Sequence, residues 1–225
     1  MKKEKKFQLK HFVSMAMLCA LAIVADMVLR IPGIGGFLTY EPKDVILTIA
    51  AFIFGPIAGI LMSVVVCVTE MFTVSSTGVI GLIMNFISSA VFVGVASFIY
   101  SRKKTLSRAI IGLFVASVSM TAVMLLWNYI VTPVYMHVER AVVIGMILPL
   151  LLPFNLLKAG LNSTLTMFLY KGIVTALRKS KLIPESENTQ AKKSVSTTVL
   201  IVVTSAFLAV TLLLVILIFA GKLHI

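Results

Sequence analysis

The sequence predicts an all-α integral membrane protein, in which a bundle of six transmembrane helices is followed by one extra C-terminal transmembrane helix. Hydrophobic residues make up 60% of the chain and charged residues 12%, whereas a soluble domain is about 45–50% apolar and about 25% charged. The apolar residues form long continuous runs. The basic residues, which give a net charge of +12, lie mostly between those runs. That placement is typical of membrane-protein loops rather than of a nucleic-acid-binding surface.

The first apolar run, 12–29, follows a basic N-terminal segment. A cleaved signal peptide is the alternative interpretation of such a pattern. The run is about as long as a spanning helix, and no small-residue cleavage site precedes a polar mature start. We therefore predict that 12–29 is the first transmembrane helix.

The second apolar run, 45–74, is too long for one transmembrane helix and too short for two full ones, since a span needs about 20 residues. Gly55-Pro56 interrupts the run, and a proline ends the helix that precedes it. We therefore predict a short helix over 43–54, a tight turn and a second helix over 56–72.

Loop charges favour two crossings within this run. With seven spans in all, 15 basic residues fall on the side of the N-terminus and four on the opposite side. Cytoplasmic loops of membrane proteins collect Lys and Arg. The sequence thus predicts a multi-pass protein whose N-terminus is cytoplasmic.

The remaining apolar runs predict one helix each, over 78–100, 109–134 and 141–170. The last run, 197–220, follows a polar stretch and contains no charge, amide or proline. We therefore divide the chain into a six-helix membrane domain over 1–180, a polar cytoplasmic linker over 181–196 and an extra C-terminal transmembrane helix over 197–225.

Polar groups at membrane depth are energetically costly and therefore mark candidate functional residues. Asn155 and Lys158 are three residues apart, which places them on one helix face. An amide beside an ammonium group would suit a planar heterocycle or a carboxylate. In the alternative interpretation, Lys158 pairs with a helix carbonyl or with Asp26 and serves only packing.

Further candidates lie near the predicted outer side. Asn128 stands between Trp127 and Tyr129, and these three could clamp a heterocycle by stacking and hydrogen bonds. The two aromatic residues could equally belong to an interfacial belt. Asn85 either binds the ligand or makes an interhelical hydrogen bond.

The first outer loop is rich in glycine and ends in an acid-base-acid segment that contains Glu41 and Asp44. A mobile loop of this kind over a polar cavity often acts as a lid. A plain connector is the alternative, although 14 residues are long for that role. We therefore include Glu41 and Asp44 among the candidate binding residues.

Ala16 and Ala20 are spaced so that another helix could approach the first one closely. That helix could belong to a partner protein or to the same bundle. The sequence contains no catalytic nucleophile motif, metal-binding motif or ATP-binding loop. We therefore predict that the chain is not an enzyme, and that any pumping requires partner subunits.

Several segments resemble the S components of energy-coupling factor (ECF) transporters. They are the acidic outer-loop segment that runs into Asp44-Val45, 54–59 (Phe-Gly-Pro-Ile-Ala-Gly), 84–87 (Met-Asn-Phe-Ile), 128–129 (Asn-Tyr) and 153–158 (Pro-Phe-Asn-Leu-Leu-Lys). The similarity extends over about 12–177 and is greatest to the riboflavin-specific branch of the family.

This resemblance implies a six-helix S-component bundle in a bacterial cell membrane that captures riboflavin or a related flavin at the extracellular face. The flavin would be a transported ligand, with no cofactor bound. A transmembrane coupling subunit and two ATPase subunits would energise uptake, and Ala16 and Ala20 match the family's docking motif. The pattern assigns binding to Asn128, Asn155 and Lys158, with Asn85 and the segment from Glu41 to Asp44 as second choices.

Two alternatives stay open. The segment Tyr-Glu-Pro-Lys-Asp at 40–44 differs from the Asp-Phe-Ser-Asp that riboflavin binders often carry, so the ligand could be another vitamin such as pantothenate or a pyridoxine-like compound. A stand-alone proton-coupled carrier, with Lys158, Glu70 and Asp26 as a proton relay, is the alternative from a different functional class.

Overall fold

The structure, a computed structural model, describes residues 2–32, 38–75 and 77–182. Beyond residue 182 it describes five isolated positions, which are helical: Val202, Ser205, Ala206, Ala209 and Leu213. Most of the predicted linker, the rest of the predicted seventh helix and the glycines of the first outer loop lie outside the described residues.

The chain begins with a long helix and a small hairpin. Helix α1 covers Lys2–Leu29, so it starts ten residues before the apolar run. Lys, Glu and Gln are good helix formers, which explains why the polar N-terminal residues continue the helix. Strands β1 (Ile31–Pro32) and β2 (Thr39–Tyr40) then pair antiparallel.

Helices α2 (Lys43–Phe54) and α3 (Pro56–Thr73) confirm the predicted break. Gly55 between them has a φ of 98°, a conformation that glycine adopts without steric cost. Pro56 opens α3, where its missing N–H would be unpaired in any case. With 12 residues, α2 is about 18 Å long, which is shorter than the roughly 30 Å hydrocarbon core of a bilayer.

Helices α4 (Gly78–Arg102) and α5 (Leu106–Met136) agree with two predicted runs and extend beyond them. The run predicted as one helix over 141–170 lies within one helical segment, Arg140–Lys179, but this segment is not a regular α-helix. This part consists of α6 (Arg140–Met146), a π-helical turn (Ile147–Leu151) and α7 (Leu152–Lys179). Pro149 and Pro153 remove two donors from the helical hydrogen-bond ladder, and such a loss commonly distorts a helix.

Helix α2 lies at the centre of the bundle and contacts α1, α3, α4 and α7. Residues 43–52 of this helix are all buried. The outer helix faces carry large exposed apolar side chains, such as Phe72, Phe114 and Phe168, which is the pattern expected of a surface in contact with lipid.

Five helical segments of the described residues are long and apolar enough to cross a membrane. They are Leu9–Leu29, Pro56–Thr73, Gly78–Arg102, Leu106–Met136 and Arg140–Lys179. The described residues are therefore almost entirely helical and include several segments capable of spanning a membrane, as the sequence predicted.

Helices α4 and α5 approach closely at Gly112, which offers a test of the packing. A Cβ atom at Gly112 would lie 2.7 Å from the carbonyl oxygen of Ala96, so Gly112→Ala should push the two helices apart. We expect a lower unfolding temperature in detergent, equivalent to about 1–3 kcal/mol.

Gly172→Ala is the matched control, because a Cβ there would meet nothing within 4 Å. This substitution should leave the unfolding temperature unchanged or raise it slightly, since alanine is the better helix former. Equal unfolding temperatures for the two variants would contradict the close approach of α4 and α5.

Candidate functional site

The carboxylate of Glu41, directly after β2, is the centre of a buried ion-pair network. Lys43 Nζ lies 2.7 Å from Oε2 of Glu41, and Lys158 Nζ donates to the same oxygen at 2.9 Å. Arg30 Nη2 and Asn85 Nδ2 each donate to Oε1 at 2.8 Å. Four donors, one each from α2, α4 and α7 and one from Arg30 directly after α1, therefore converge on one side chain, which is only 3% exposed.

A second carboxylate, that of Glu70 on α3, shares three of these donors. Lys43 Nζ donates to Glu70 at 2.5 Å and Asn85 Nδ2 at 2.7 Å, and Arg30 pairs with it as well. Oδ2 of Asp26 lies 3.6 Å from Nη2 of Arg30. The network thus contains Glu70 and Asp26, and Lys158 pairs with Glu41 rather than with Asp26.

Asp44 lies behind this network and is fully buried. Its carboxylate accepts hydrogen bonds from Ser89 and, at 3.4 Å, from Asn162. It does not line the pocket described below, so the structure gives Asp44 a place between α2, α4 and α7 rather than on the pocket wall.

Burial and neighbouring charges shift the pKa values of Tyr40 and Glu41 at the end of the hairpin. Burial by itself would raise the pKa of Glu41, but the ammonium groups of Lys158 and Lys43 hold that pKa well below its usual range. Burial raises the pKa of Tyr40, and the nearby carboxylate of Asp44 raises it further. Glu41 is therefore ionised at neutral pH, while Tyr40 stays protonated.

The network forms one wall of an open pocket that holds about 590 Å³ of space, the part open to solvent included. Five predicted binding residues line it: Glu41, Asn85, Asn128, Asn155 and Lys158. Apolar side chains complete the wall, among them Leu38, Met84, Met124 and Phe154. Ten of the 14 lining residues are polar or charged, so hydrogen-bonding groups dominate the wall. Convergent polar groups of this kind fix the orientation of a ligand in a small-molecule site.

The two amides of α5 and α7 are held in place by their own helices. Asn128 Nδ2 donates to the carbonyl of Met124 at 2.7 Å, and its Oδ1 accepts from Thr132. Asn155 Nδ2 donates to the carbonyl of Leu151 in the π-helical turn, also at 2.7 Å. The turn therefore supplies the acceptor that orients Asn155 at the pocket.

The two predicted aromatic residues lie outside this pocket. Tyr129 is 38% exposed, and the guanidinium of Arg140 lies 5.8 Å from the centre of its ring. Trp127 lines a separate apolar groove between α4 and α5, which shares Thr77 and Met84 with the pocket. Adjacent residues on a helix point in different directions, which is why Asn128 lines the pocket while Trp127 and Tyr129 do not.

Ala16 and Ala20 are both exposed on α1. The opposite side of the helix is buried and includes Ser14, Leu18 and Ala22. Within residues 2–32, 38–75 and 77–182, no other helix buries these two alanines, so the role of their face in docking stays a prediction.

The sequence analysis did not single out Arg30, contained Lys43 only within the segment from Glu41 to Asp44, and named Glu70 only as a relay residue of the alternative carrier. Glu70 carried a recognisable signal, because it is an acid within an apolar run. Arg30 and Lys43 lie at helix ends, where a basic residue is ordinary, so only their contacts distinguish them from solvated loop charges.

Comparisons with known proteins identify the family of this chain. The family model described as "ECF transporter, substrate-specific component" matches residues 10–170. The chain belongs to this family. It is therefore the substrate-binding component of a membrane transporter and not an enzyme.

Two relatives and one solved structure support the assignment. The riboflavin transporter RibU of Staphylococcus aureus (strain TCH60) is 30% identical over 76% of this chain and 94% of its own length. The riboflavin transporter FmnP of Bacillus subtilis (strain 168) is 28% identical over 67% of this chain and 85% of its own length. A solved S component of a bacterial ECF transporter superposes with a TM-score of 0.65 at 29% identity, covering 76% of this chain and 99% of that one.

Lys43 tests the energetic role of the network. Its ammonium group bridges Glu41 and Glu70 and is fully buried, so Lys43→Met leaves two neighbouring carboxylates with less compensation. We expect a loss of about 3–5 kcal/mol of stability, measured as a lower unfolding temperature in detergent at neutral pH. The deficit should shrink at acidic pH, because protonation of one carboxyl relieves the repulsion.

Lys103→Met is the control for this prediction, since Lys103 is exposed after α4. It removes the same charge without touching the network and should unfold like the wild type. If both variants unfold at the same temperature, the ion pairs of Lys43 contribute nothing to stability.

Proposed function

We propose that this protein captures riboflavin, or a closely related flavin, at the extracellular face of a bacterial cell membrane for ATP-driven uptake. The observation that carries the proposal is the pocket, in which Asn85, Asn128, Asn155 and Lys158 converge beside apolar side chains. An isoalloxazine ring offers carbonyl oxygens and ring nitrogens to such groups and a flat apolar surface to the rest of the wall. The names of the two riboflavin transporters to which the chain is similar support the same ligand.

In this proposal different side chains contact different parts of the ligand. Asn128, Asn155 and Lys158 hydrogen-bond the polar edge of the ligand, while Glu41 and Asn85 position Lys158 and the hairpin next to it. Met84, Met124 and Phe154 cover the ring. Trp127 and Tyr129, which lie outside the pocket, contribute only if the α4–α5 groove opens into it.

We further propose that energy comes from a separate module, made of a transmembrane coupling subunit and two ATPase subunits. The exposed face of α1 around Ala16 and Ala20 would dock on the coupling subunit. The N-terminus would be cytoplasmic, as the loop charges predict. The division into a substrate-binding domain over 1–180, a linker over 181–196 and an extra helix over 197–225, and hence six helices plus one, belongs to this proposal.

The proposed ligand is tested with the purified protein in detergent. Riboflavin should bind stoichiometrically and lose fluorescence, and flavin absorption bands should co-elute with the freshly purified protein. Lys158→Ala should weaken riboflavin binding at least about tenfold, the equivalent of 1.4 kcal/mol, because a buried donor of the pocket is removed. Lys104→Ala, at an exposed position, is the matched control and should bind like the wild type.

Failure of the wild type to bind riboflavin would reject the flavin proposal and direct the search to pantothenate and pyridoxine-like vitamins. Binding that is identical in Lys158→Ala and the wild type would remove Lys158 from the site. Uptake by proteoliposomes that lack the energising module, if it depended on pH, would instead favour the proton-coupled carrier, whose relay residues Lys158, Glu70 and Asp26 lie in or beside one network.

The docking proposal predicts a separation of binding from uptake. Replacing Ala16 and Ala20 together with leucine should abolish uptake in cells that carry the complete transporter, because the bulky side chains keep the partner helix away. Riboflavin binding in detergent should be unchanged, since both positions face away from the pocket. Replacing exposed Val115 and Val118 of α5 with leucine is the control, because these positions lie on a different helix. Normal uptake by the double alanine variant would reject the docking face.

A further inference from the structure

Two cationic side chains line the pocket, Arg30 and Lys158. Guanidinium and ammonium groups next to amides ordinarily favour an anionic ligand, above all a phosphate. On composition alone, this pocket would therefore accept a phosphorylated heterocycle as readily as a neutral one.

The contacts argue against a preference for a phosphorylated ligand, because Glu41 pairs with both cations. Its Oε2 lies 2.9 Å from Lys158 Nζ and its Oε1 lies 2.8 Å from Arg30 Nη2. Within the described part of the chain, Glu41 is the single acidic partner of Lys158 in a direct ion pair. Arg30 has further acidic partners in Glu70 and Asp26.

The carboxylate of Glu41 is a permanent part of the pocket wall rather than a surface charge. It is 3% exposed, and its pKa lies well below the usual range because the attraction of Lys158 and Lys43 overcomes the effect of burial. Four carboxyl groups, those of Asp26, Glu41, Asp44 and Glu70, lie in and around the network with three cations. Among the described residues that line the pocket, every cation therefore has an acidic neighbour, and none is free to pair with a phosphate.

We infer that Glu41 is a specificity-determining residue, which neutralises the pocket cations and so selects an uncharged heterocycle over its phosphorylated form. This inference rests on the proposed function for the identity of the heterocycle. A phosphate group adds about −1.5 to −2 charges at pH 7. The phosphate is carried on the ribityl chain and not on the ring edge that Lys158 binds, so Glu41 would act on it by charge repulsion within the pocket.

The test compares riboflavin with riboflavin 5′-phosphate on the full-length protein in detergent, by fluorescence quenching at pH 7.5. The wild type should bind riboflavin at least about tenfold more tightly than the phosphate, the effect of a modest charge repulsion. Glu41→Gln keeps the shape of the side chain and removes its charge. It should therefore reduce the ratio of the two dissociation constants, that of the phosphate over that of riboflavin, several-fold or reverse the preference. Glu41→Asp keeps the charge and should retain the wild-type preference.

Glu139→Gln is the matched control, because Glu139 is an exposed acid before α6, and its ratio should equal that of the wild type. Lys158→Ala supplies an independent measurement should Glu41→Gln fail to give a monodisperse protein. With Lys158 removed, Glu41 repels the phosphate more strongly, so the preference for riboflavin should increase even if both ligands bind more weakly.

The outcomes separate this inference from the function on which it rests. If the wild type does not bind riboflavin, the proposed function fails. If it binds riboflavin and the 5′-phosphate equally, or if neither Glu41→Gln nor Lys158→Ala changes the ratio, riboflavin transport stands and the role of Glu41 is overturned.

Discussion

The pairing of Glu41 with donors from three helices and with Arg30, directly after α1, is the interaction on which the site depends. Charges buried at the edge of a membrane are tolerated only when they are compensated, so the position of each partner is constrained by the others. Arg30 fixes the end of α1, Lys43 the start of α2, and Lys158 the pocket-facing side of α7. Since these residues are far apart in sequence, the ion pairs bring the hairpin and three helices together at the mouth of the pocket.

The short buried helix α2 makes this convergence possible. The break at Gly55-Pro56 ends it after 12 residues, and all of its faces are in contact with other helices rather than with lipid over residues 43–52. Because α2 starts at Lys43, its first turn places the ammonium group of Lys43 in the ion-pair network. The remaining turns of α2 pack in the centre of the bundle. The same short element thus contributes to both the core and the site.

The sequence predicted several features of the site for sound physical reasons, and missed others. Asn155 and Lys158 could be placed on one face because helical spacing is regular, and both line the pocket. Tyr129 could not be placed, since an interfacial tyrosine and a stacking tyrosine have the same local sequence. The continuous helix expected over 141–170 is interrupted by a π-helical turn, because two prolines four residues apart can bend, break or widen a helix and the sequence does not state which.

Composition and hydropathy alone determined that this is a helical membrane protein, because a chain with 60% hydrophobic residues must satisfy its backbone hydrogen bonds within helices when lipid surrounds it. The motifs along it were sufficient to indicate an ECF transporter S component. Only the tertiary structure decided which charges meet. Arg30 and Lys43 are ordinary basic residues at helix ends, and Glu70 is recognisable only as an acid within an apolar run. Their pairing depends on distances between helices that no local pattern encodes. The electrostatic character of the pocket follows from those distances, since Glu41 neutralises cations that lie 11 and 117 residues away along the chain.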